Sequence, residues 1–331
     1  MYTSFNETSL ENIVRLLKSH QFEYLSGQEM SRILGLSRAA VWKNIKKLHT
    51  LGYKIQSKRN TGYKMLSRTD LLLPWEITQG LQTEVLGNKI YYFKTINSTQ
   101  DFALKLASKH YENGSLIIAQ KQTSGRGRLN RKWISPKGGI WFSILLKPNF
   151  EIVQVSLLPM MTSLALAITI EKILKLKPKI KWPNDVLLDN KKVAGILVDA
   201  SVESNQIDYI AIGIGINFKI NPKTITKLIN KKENEITTLV NQSANADPVL
   251  FLQTFLFQFE RLYNNLLTNN IREIKNEWEK RSSTLGKKIT ISTPSGQVKG
   301  KAIRLDDDGA LLISQRGKVQ RFLVGDVSYT I

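Results

Sequence analysis

The chain has no cysteine and only three histidines, His20, His49 and His110. The first absence excludes a disulfide framework and any thiolate-ligated metal, and the histidines stand too far apart in sequence to suggest a zinc site. Nothing asks for an oxidising compartment. The polar N-terminus lacks a charged n-region followed by an apolar core, so no secretory signal is read and the cytoplasm is the expected location. A Walker motif is also missing. Uncharged runs are scarce. Only "IVQVSLLPMMTSLALAITI" (152–170) approaches a membrane span, and Gln154, Ser156, Pro159, Thr162, Ser163 and Thr169 interrupt it. A helix apolar all round is either membrane or deep core; the expectation is a buried helix of a soluble domain and no membrane partner.

Acidic residues are in short supply: 27 Asp+Glu against 48 Lys+Arg, a formal net charge of +21. The excess is uneven, with 12 Lys+Arg against 4 Asp+Glu in residues 1–68. That is the footprint of a module that sits on phosphate, although a lysine-rich composition would supply part of it. At 331 residues, 42% hydrophobic and 23% charged, the chain is globular and long enough for two or three domains.

The N-terminal segment reads as three short helices. Thr8 and Glu11 have capping-box spacing before Leu10, Ile13, Val14 and Leu17; Ser26 and Glu29 repeat it before a stop at Gly35; a third helix spans Ser37 to Leu48. In that helix Val41, Ile45 and Leu48 pack inward while Arg38, Lys43, Lys46 and Lys47 face out. "GYKIQSKRNTGYKML" then alternates about a polar turn with Lys58 and Arg59 at its tip. The outline is a winged helix-turn-helix, residues 1–68, with Ser37, Arg38, Lys43, Lys46, Lys47, Lys58 and Arg59 as candidate DNA contacts. A small helical protein-docking module would share part of this pattern.

A linker is expected over 69–80, punctuated by Pro74. Residues 81–282 alternate strands and helices: strands in "GSLIIAQKQ", "GGIWFSILLKP", "PKIKWPNDVLLDNKKVAGILVDASV" and "IDYIAIGIGINF", and helices at 99–109, 157–176 and 248–268. Short connections suggest antiparallel neighbours in an α+β domain. Residues 283–331 carry turn signals at Pro294-Ser295-Gly296, Asp308-Gly309 and Arg316-Gly317, spaced for a small SH3-like β-barrel.

The segment "QKQTSGRGRLNRKW" (120–133) holds Arg126, Arg128 and Arg131 between two expected strands, so it is a loop with anchored ends and not a free basic tether. Gly125 and Gly127 let successive N–H groups point at one anion, and the guanidiniums add bidentate reach, which implies a phosphate-bearing ligand. "KWPND" sets Lys181, Asn184 and Asp185 around a turn where an amide and a carboxylate can address a metal-bound phosphate, although such a turn is also common on surfaces. Lys192 leads into "VAGILV", and "NST" (97–99) is by itself an N-cap. "GIGIN" (213–217) lacks the third glycine of a dinucleotide fingerprint; its glycines allow a flat ligand or another backbone to approach.

Taken in order, "NST", "QTSGRGRxxRxW", "KWPND", "KxAGIL" and "GIGIN" resemble the biotin protein ligases, and the N-terminal module resembles the bifunctional ligase/repressor type of that family. The resemblance spans essentially the whole chain; the arginine-loop and KWPND motifs are its specific part. It implies an enzyme that joins biotin and Mg-ATP to give biotinyl-5'-AMP and pyrophosphate, then passes biotin to a lysine of a carrier domain. It further implies a homodimer when adenylate-bound that represses by binding operator DNA.

For residues, the resemblance implies a biotin site of Ser98, Thr99, Gln100, Gln122, Gly125, Arg126, Gly127, Arg128, Lys192, Gly195, Gly213 and Gly215. The adenylate side would draw on Arg128, Arg131, Trp133, Lys181, Asn184 and Asn217, with Asn184 and Asp185 toward Mg²⁺. Arg126, Arg128, Lys192 and Asp185 would carry the chemistry. Two departures stand out: Gln100 where an asparagine is common, and Leu129-Asn130 in place of an Arg-Gly pair. A lipoate ligase, or a ligand-sensing repressor without ligase activity, are the alternatives.

Overall fold

The computed structural model describes residues 7–204, 206–221, 223–225, 235–239, 246–294 and 296–329. The first six residues, on which the reading of the N-terminus partly rests, and Ser295 of the Pro294-Ser295-Gly296 turn lie outside the described residues. Two compact units divide between Glu76 and Ile77.

In the first unit, α1 (Glu7–Ser19), α2 (Gly27–Leu34) and α3 (Arg38–Thr50) bury Leu10, Ile13, Val14, Leu17, Met30, Val41, Ile45 and Leu48. Ser26 caps α2 by accepting from the Glu29 amide at 3.1 Å, and Ser37 caps α3 by accepting from Ala40 at 3.1 Å. Gly35 closes α2 at φ +62°, the left-handed conformation that ends helices. Thr8 departs from expectation. It lies inside α1, where a capping residue cannot be, and Glu11 instead accepts from Arg15 one turn on at 3.0 Å. The wing is β1 (Lys54–Lys58) against β2 (Gly62–Ser67), antiparallel, with Lys58 and Arg59 exposed at its tip.

The expected linker is only partly a linker. Trp75 and Glu76, in α4 (Pro74–Thr78), are buried, and the Glu76 carboxylate accepts from Tyr53 at 2.6 Å and from Lys18 at 2.8 Å. Trp75 donates to the Tyr53 hydroxyl at 2.7 Å. Burial, reinforced by Glu76, holds the Tyr53 phenol far above its ordinary pKa.

The second unit is built on a seven-stranded sheet in the order β3-β4-β5-β9-β8-β7-β6. Its strands are β3 (Ile90–Phe93), β4 (Ser115–Ala119), β5 (Ile140–Leu146), β6 (Lys179–Lys181), β7 (Asp185–Leu188), β8 (Lys191–Glu203) and β9 (Gln206–Ile216). Its neighbours are antiparallel except β3 and β4, which run parallel because α5 (Thr99–Ala107) lies in the connection between them. Alternation along β5 sorts the faces. Ser143 and Leu145 meet α5, whereas Phe142 stacks edge-on with Phe255 of α7 (Pro248–Leu267), ring centroids 5.5 Å apart.

The segment Ile152–Leu174 is long and apolar enough to cross a membrane, yet 72% of its apolar 18-residue window is buried inside the fold. Its helical part, α6 (Leu158–Leu174), packs against the sheet, α7 and α8 (Ile271–Arg281). Ser163 and Thr169 satisfy their hydroxyls on carbonyls of the same helix, at 2.9 and 2.8 Å, so burial costs them little.

The last five strands, β10 (Lys288–Thr293), β11 (Gly296–Leu305), β12 (Leu311–Gln315), β13 (Lys318–Phe322) and β14 (Asp326–Tyr329), form an antiparallel sheet in the order β13-β12-β11-β10-β14. Trp182 fastens it to the larger sheet, donating from its ring to Gly309 O at 3.1 Å and from its amide to Thr284 at 3.0 Å.

Candidate active site

One face of the large sheet is cut down to backbone where Gly195 of β8 pairs with Gly215 of β9, beside Gly213. The reason is visible in what a methyl group would strike. A Cβ on Gly215 would sit 2.3 Å from the Trp133 indole nitrogen, and one on Gly213 would sit 2.7 Å from Gln100 Oε1. The floor is therefore flat by composition, and Trp133 lies across it.

At the α5 end, buried amides and hydroxyls form a closed network. Gln122 Oε1 accepts from the Thr99 amide at 2.7 Å and from its hydroxyl at 3.1 Å, while Gln122 Nε2 donates to Ser135 at 2.8 Å. Gln100 donates to Ala211 O at 2.9 Å and to Asp199 at 3.1 Å and accepts from Ser143 at 2.9 Å. Ser98 caps α5 by accepting from Asp101 N at 3.2 Å. The extra methylene that distinguishes Gln100 from asparagine lets its amide reach across β9 to Asp199.

The arginine loop joins β4 to β5 and folds on itself. Trp133 N donates to Gly125 O at 2.8 Å, and Gly127 N donates to Arg131 O at 2.7 Å. Gly125 is needed there, since a Cβ would meet Trp133 O at 2.4 Å. The tip turns through Leu129 and Asn130, at φ +54° and +58°. Asparagine tolerates that conformation; leucine holds it at a cost of about 1–2 kcal/mol, so the fold constrains the tip.

Every arginine of the loop has an anionic neighbour. Arg126 donates to Asp101 at 2.8 Å and lies 3.6 Å from Asp199. Arg128 donates to Asn184 Oδ1 at 3.0 Å and to Gly325 O at 3.3 Å, with Asp326 at 3.8 Å; Arg131 pairs with Asp326. Burial pulls the Arg128 guanidinium below its ordinary pKa, against the opposing pull of Asp326 and Asp185. A desolvated cation of this kind has an incomplete set of partners for an anion to complete.

Opposite the loop, Lys192 Nζ lies 2.5 Å from Asp185 Oδ1 and 5.1 Å from the centre of the Trp133 ring. The lysine–aspartate contact falls outside hydrogen-bond geometry and is a contact of charge. Asn184 donates to Ile196 O at 2.6 Å, which fixes its Oδ1 toward Arg128. Asn217 donates to Thr237 O at 3.1 Å and so pins the 235–239 segment beside the floor. Lys181 sits 5.3 Å from the Tyr329 ring.

These parts enclose a cavity of about 820 Å³. Ser98, Thr99, Gln100, Gln122, Arg126, Gly127, Arg128, Arg131, Trp133, Lys181, Asn184, Asp185, Lys192, Gly195, Gly213, Gly215 and Asn217 all line it. Gly125 is not on its wall; its place is at the base of the loop. Sequence reasoning passed over Asp326, Val327, Ser328 and Tyr329 of β14, and Ile225, Glu235 and Ile236, which also line the cavity. No spacing signal announces them. Ser143 and Asp199 were missed too, though both lie on strands beside the chosen glycines and face the same way. Among the described residues no group of three His, Cys, Asp or Glu is placed to hold a metal.

Residues 92–217, which contain the loop, the floor and the Asp185–Lys192 pair, match the biotin/lipoate A/B protein ligase family; 9–64 match a helix-turn-helix domain and 284–329 a biotin protein ligase C-terminal domain. The chain is 33% identical to the bifunctional ligase/repressor BirA of Bacillus subtilis, over 97% of its own length and 98% of the relative's. It belongs to the biotin/lipoate A/B protein ligase family. The bifunctional ligase/repressor BirA of Escherichia coli is 26% identical over 96% of this chain and 95% of its own. Among solved structures, the biotin protein ligase of Aquifex aeolicus in complex with biotin and ATP superposes with a TM-score of 0.61 at 28% identity, covering 73% of this chain and 98% of that one. The family thus accounts for the cavity, and the full-length relatives for a helix-turn-helix and an enzyme on one chain.

Proposed function

We propose that this protein is a biotin protein ligase that also represses transcription in response to biotin. The observation that carries the reading is the convergence of Arg128, Asn184, Asp185 and Lys192 on one cavity with a glycine floor. Such a space admits a flat apolar ligand and surrounds its anionic end with fixed cations. Domain roles follow: 1–68 for DNA, 81–282 for chemistry, 283–331 for closing the site.

The ureido ring of biotin lies against Ser98, Thr99 and Gln122, with Gln100 holding the polar network behind it. In the first half-reaction a carboxylate oxygen of biotin attacks the α-phosphorus of ATP and pyrophosphate leaves. Lys192 neutralises charge where carboxylate and phosphate meet, and Arg126, Arg128 and Arg131 exchange their present carboxylates for phosphate oxygens. Once that exchange is made on binding, the donors stand ready where charge develops in the transition state. In the second half-reaction the acceptor lysine, on a carrier domain, attacks the acyl carbon and AMP leaves, with Asp185 as the base that takes the ammonium proton. The closed loop keeps water from the mixed anhydride.

Asp185 and Asn184 are one carboxylate and one amide, a set that suits Mg²⁺ arriving with nucleotide phosphates and not a free-standing site. Bound there, the ion would neutralise the phosphate chain as pyrophosphate departs. With adenylate bound, two copies associate and place paired α3 helices on an operator in the cytoplasm.

Biotin-dependent exchange of labelled pyrophosphate into ATP tests the ligase chemistry. Exchange with biotin and none with lipoate is expected. Exchange with lipoate alone would make it a lipoate ligase, and binding of biotin without exchange would leave a sensor.

A further inference from the structure

The exposed face of α3 contains one residue that charge does not explain. Trp42 is 52% exposed, although the opposite face of the same helix, Val41, Ile45 and Leu48, is buried to 2% or less. It sits in the row Arg38, Trp42, Lys46, spaced by four residues, beside Ala39 and Lys43, which are also exposed. Lys46 Nζ lies 3.7 Å from the centre of the indole, over its face. The helix has no Asp or Glu anywhere in its length.

A tryptophan contributes most when its ring is removed from water, so leaving half of it exposed forgoes that contribution unless a partner covers it. The partner's chemistry is set by the surroundings. An indole with Arg38, Lys43 and Lys46 around it and no acidic residue on its helix, capped at Ser37 and one element before a basic wing, fits a polyanion with apolar features recessed in it. Duplex DNA is that polyanion: phosphates line the rim of the major groove, and the C5-methyl groups of thymine are the apolar features on its floor. Trp42 lies in the first half of α3, the part of a recognition helix that reaches base edges. Ala39, one turn earlier on the same face, leaves room for that approach.

We infer that Trp42 is the base-reading residue of the winged unit, and that it selects thymine by covering the C5-methyl group with its indole edge while Lys46, stacked on the ring face, is held toward phosphate. The division of labour differs from that of the lysines and arginines around it, which supply affinity on any sequence. This inference rests on the winged unit binding DNA.

The test uses the full-length chain with biotin and Mg-ATP. Duplexes are selected from a random library by the wild type and by Trp42→Ala, and the best wild-type duplex is then remade with uracil in place of thymine, one position at a time. The account expects one thymine per half-site whose replacement by uracil weakens the wild type about fourfold, the value of one buried methyl. Trp42→Ala should show no thymine–uracil difference there and select no thymine at that position, while any weakening from Lys46 losing its ring support is the same on every sequence. Trp42→Phe should keep part of the discrimination. Equal weakening of Trp42→Ala on every sequence, with the thymine preference intact, would overturn the reading role and leave Trp42 as a prop for Lys46. Failure of the wild type to enrich any duplex would overturn the DNA-binding reading as well, which separates the two.

Discussion

At the scale of single residues, the site rests on a few contacts that one atom can disturb. Arg128 is held by Asn184 and by the backbone of Gly325, a desolvated cation at the mouth of the cavity. On the proposed reading, alanine there would remove one wall of the adenylate's enclosure. Arg128→Ala should therefore release biotinyl-5'-AMP into solution faster while carrier binding changes little; a filtration assay on pre-formed adenylate measures it, and unchanged retention would count against a shielding role. Gly215 is a second such point. Gly215→Ala would push the Trp133 indole off the floor, and a displacement of about 1 Å can cost on the order of 10²-fold in kcat/KM. Wild-type kinetics in that variant, with an unaltered tryptophan emission spectrum, would show that the floor tolerates a side chain.

Secondary elements set where these atoms stand, and some of their anchors are long-range. Glu260 of α7 accepts from the backbone amides of Glu84, Val85 and Leu86 at 2.7, 2.8 and 2.9 Å, tying the segment before β3 to the helix that backs the sheet. Glu260→Ala strands three amides, and a loss of about 3–5 kcal/mol in chemical unfolding is expected. On α8, Lys280 and then Arg281 donate to Glu277 and hold its carboxyl below its ordinary pKa. A depressed carboxyl contributes stability that is present above its unfolded pKa and is lost as pH falls through the folded value. Glu277→Gln should thus lower Tm slightly near neutrality, where the ionised carboxyl contributes, and match the wild type at low pH, so that the acid-side decline is flatter.

Legibility follows the same division between local and distant causes. The caps at Ser26 and Ser37, the stop at Gly35 and the wing tip were readable because partner and signal lie within a few residues of each other. α8 was missed because its average character is polar, yet Ile274 and Trp278, one turn apart and both fully buried, were the available signal. β3 was missed because three half-buried residues and a buried Phe93 carry too little alternation. The pairing of Arg131 with Asp326 could not be read at all, since 195 positions separate the partners and only the docking of the last sheet brings them together.

On the scale of the whole molecule, a chemical site and a helix-turn-helix domain share one chain. Linkage requires that if adenylate favours the DNA-binding form, DNA favours adenylate retention by the same factor. Operator affinity should rise with biotin and ATP together and fall on the order of 10³-fold between roughly 50 and 200 mM salt. Binding indifferent to salt would reduce the winged unit to a structural part. Ligation is tested by mass spectrometry of an apo biotin-carrier domain incubated with this protein, Mg-ATP and biotin, with lipoate in a parallel sample. The account predicts one biotin added to the carrier and nothing added from lipoate. A carrier mass unchanged by biotin, from protein shown to bind biotin, would contradict it.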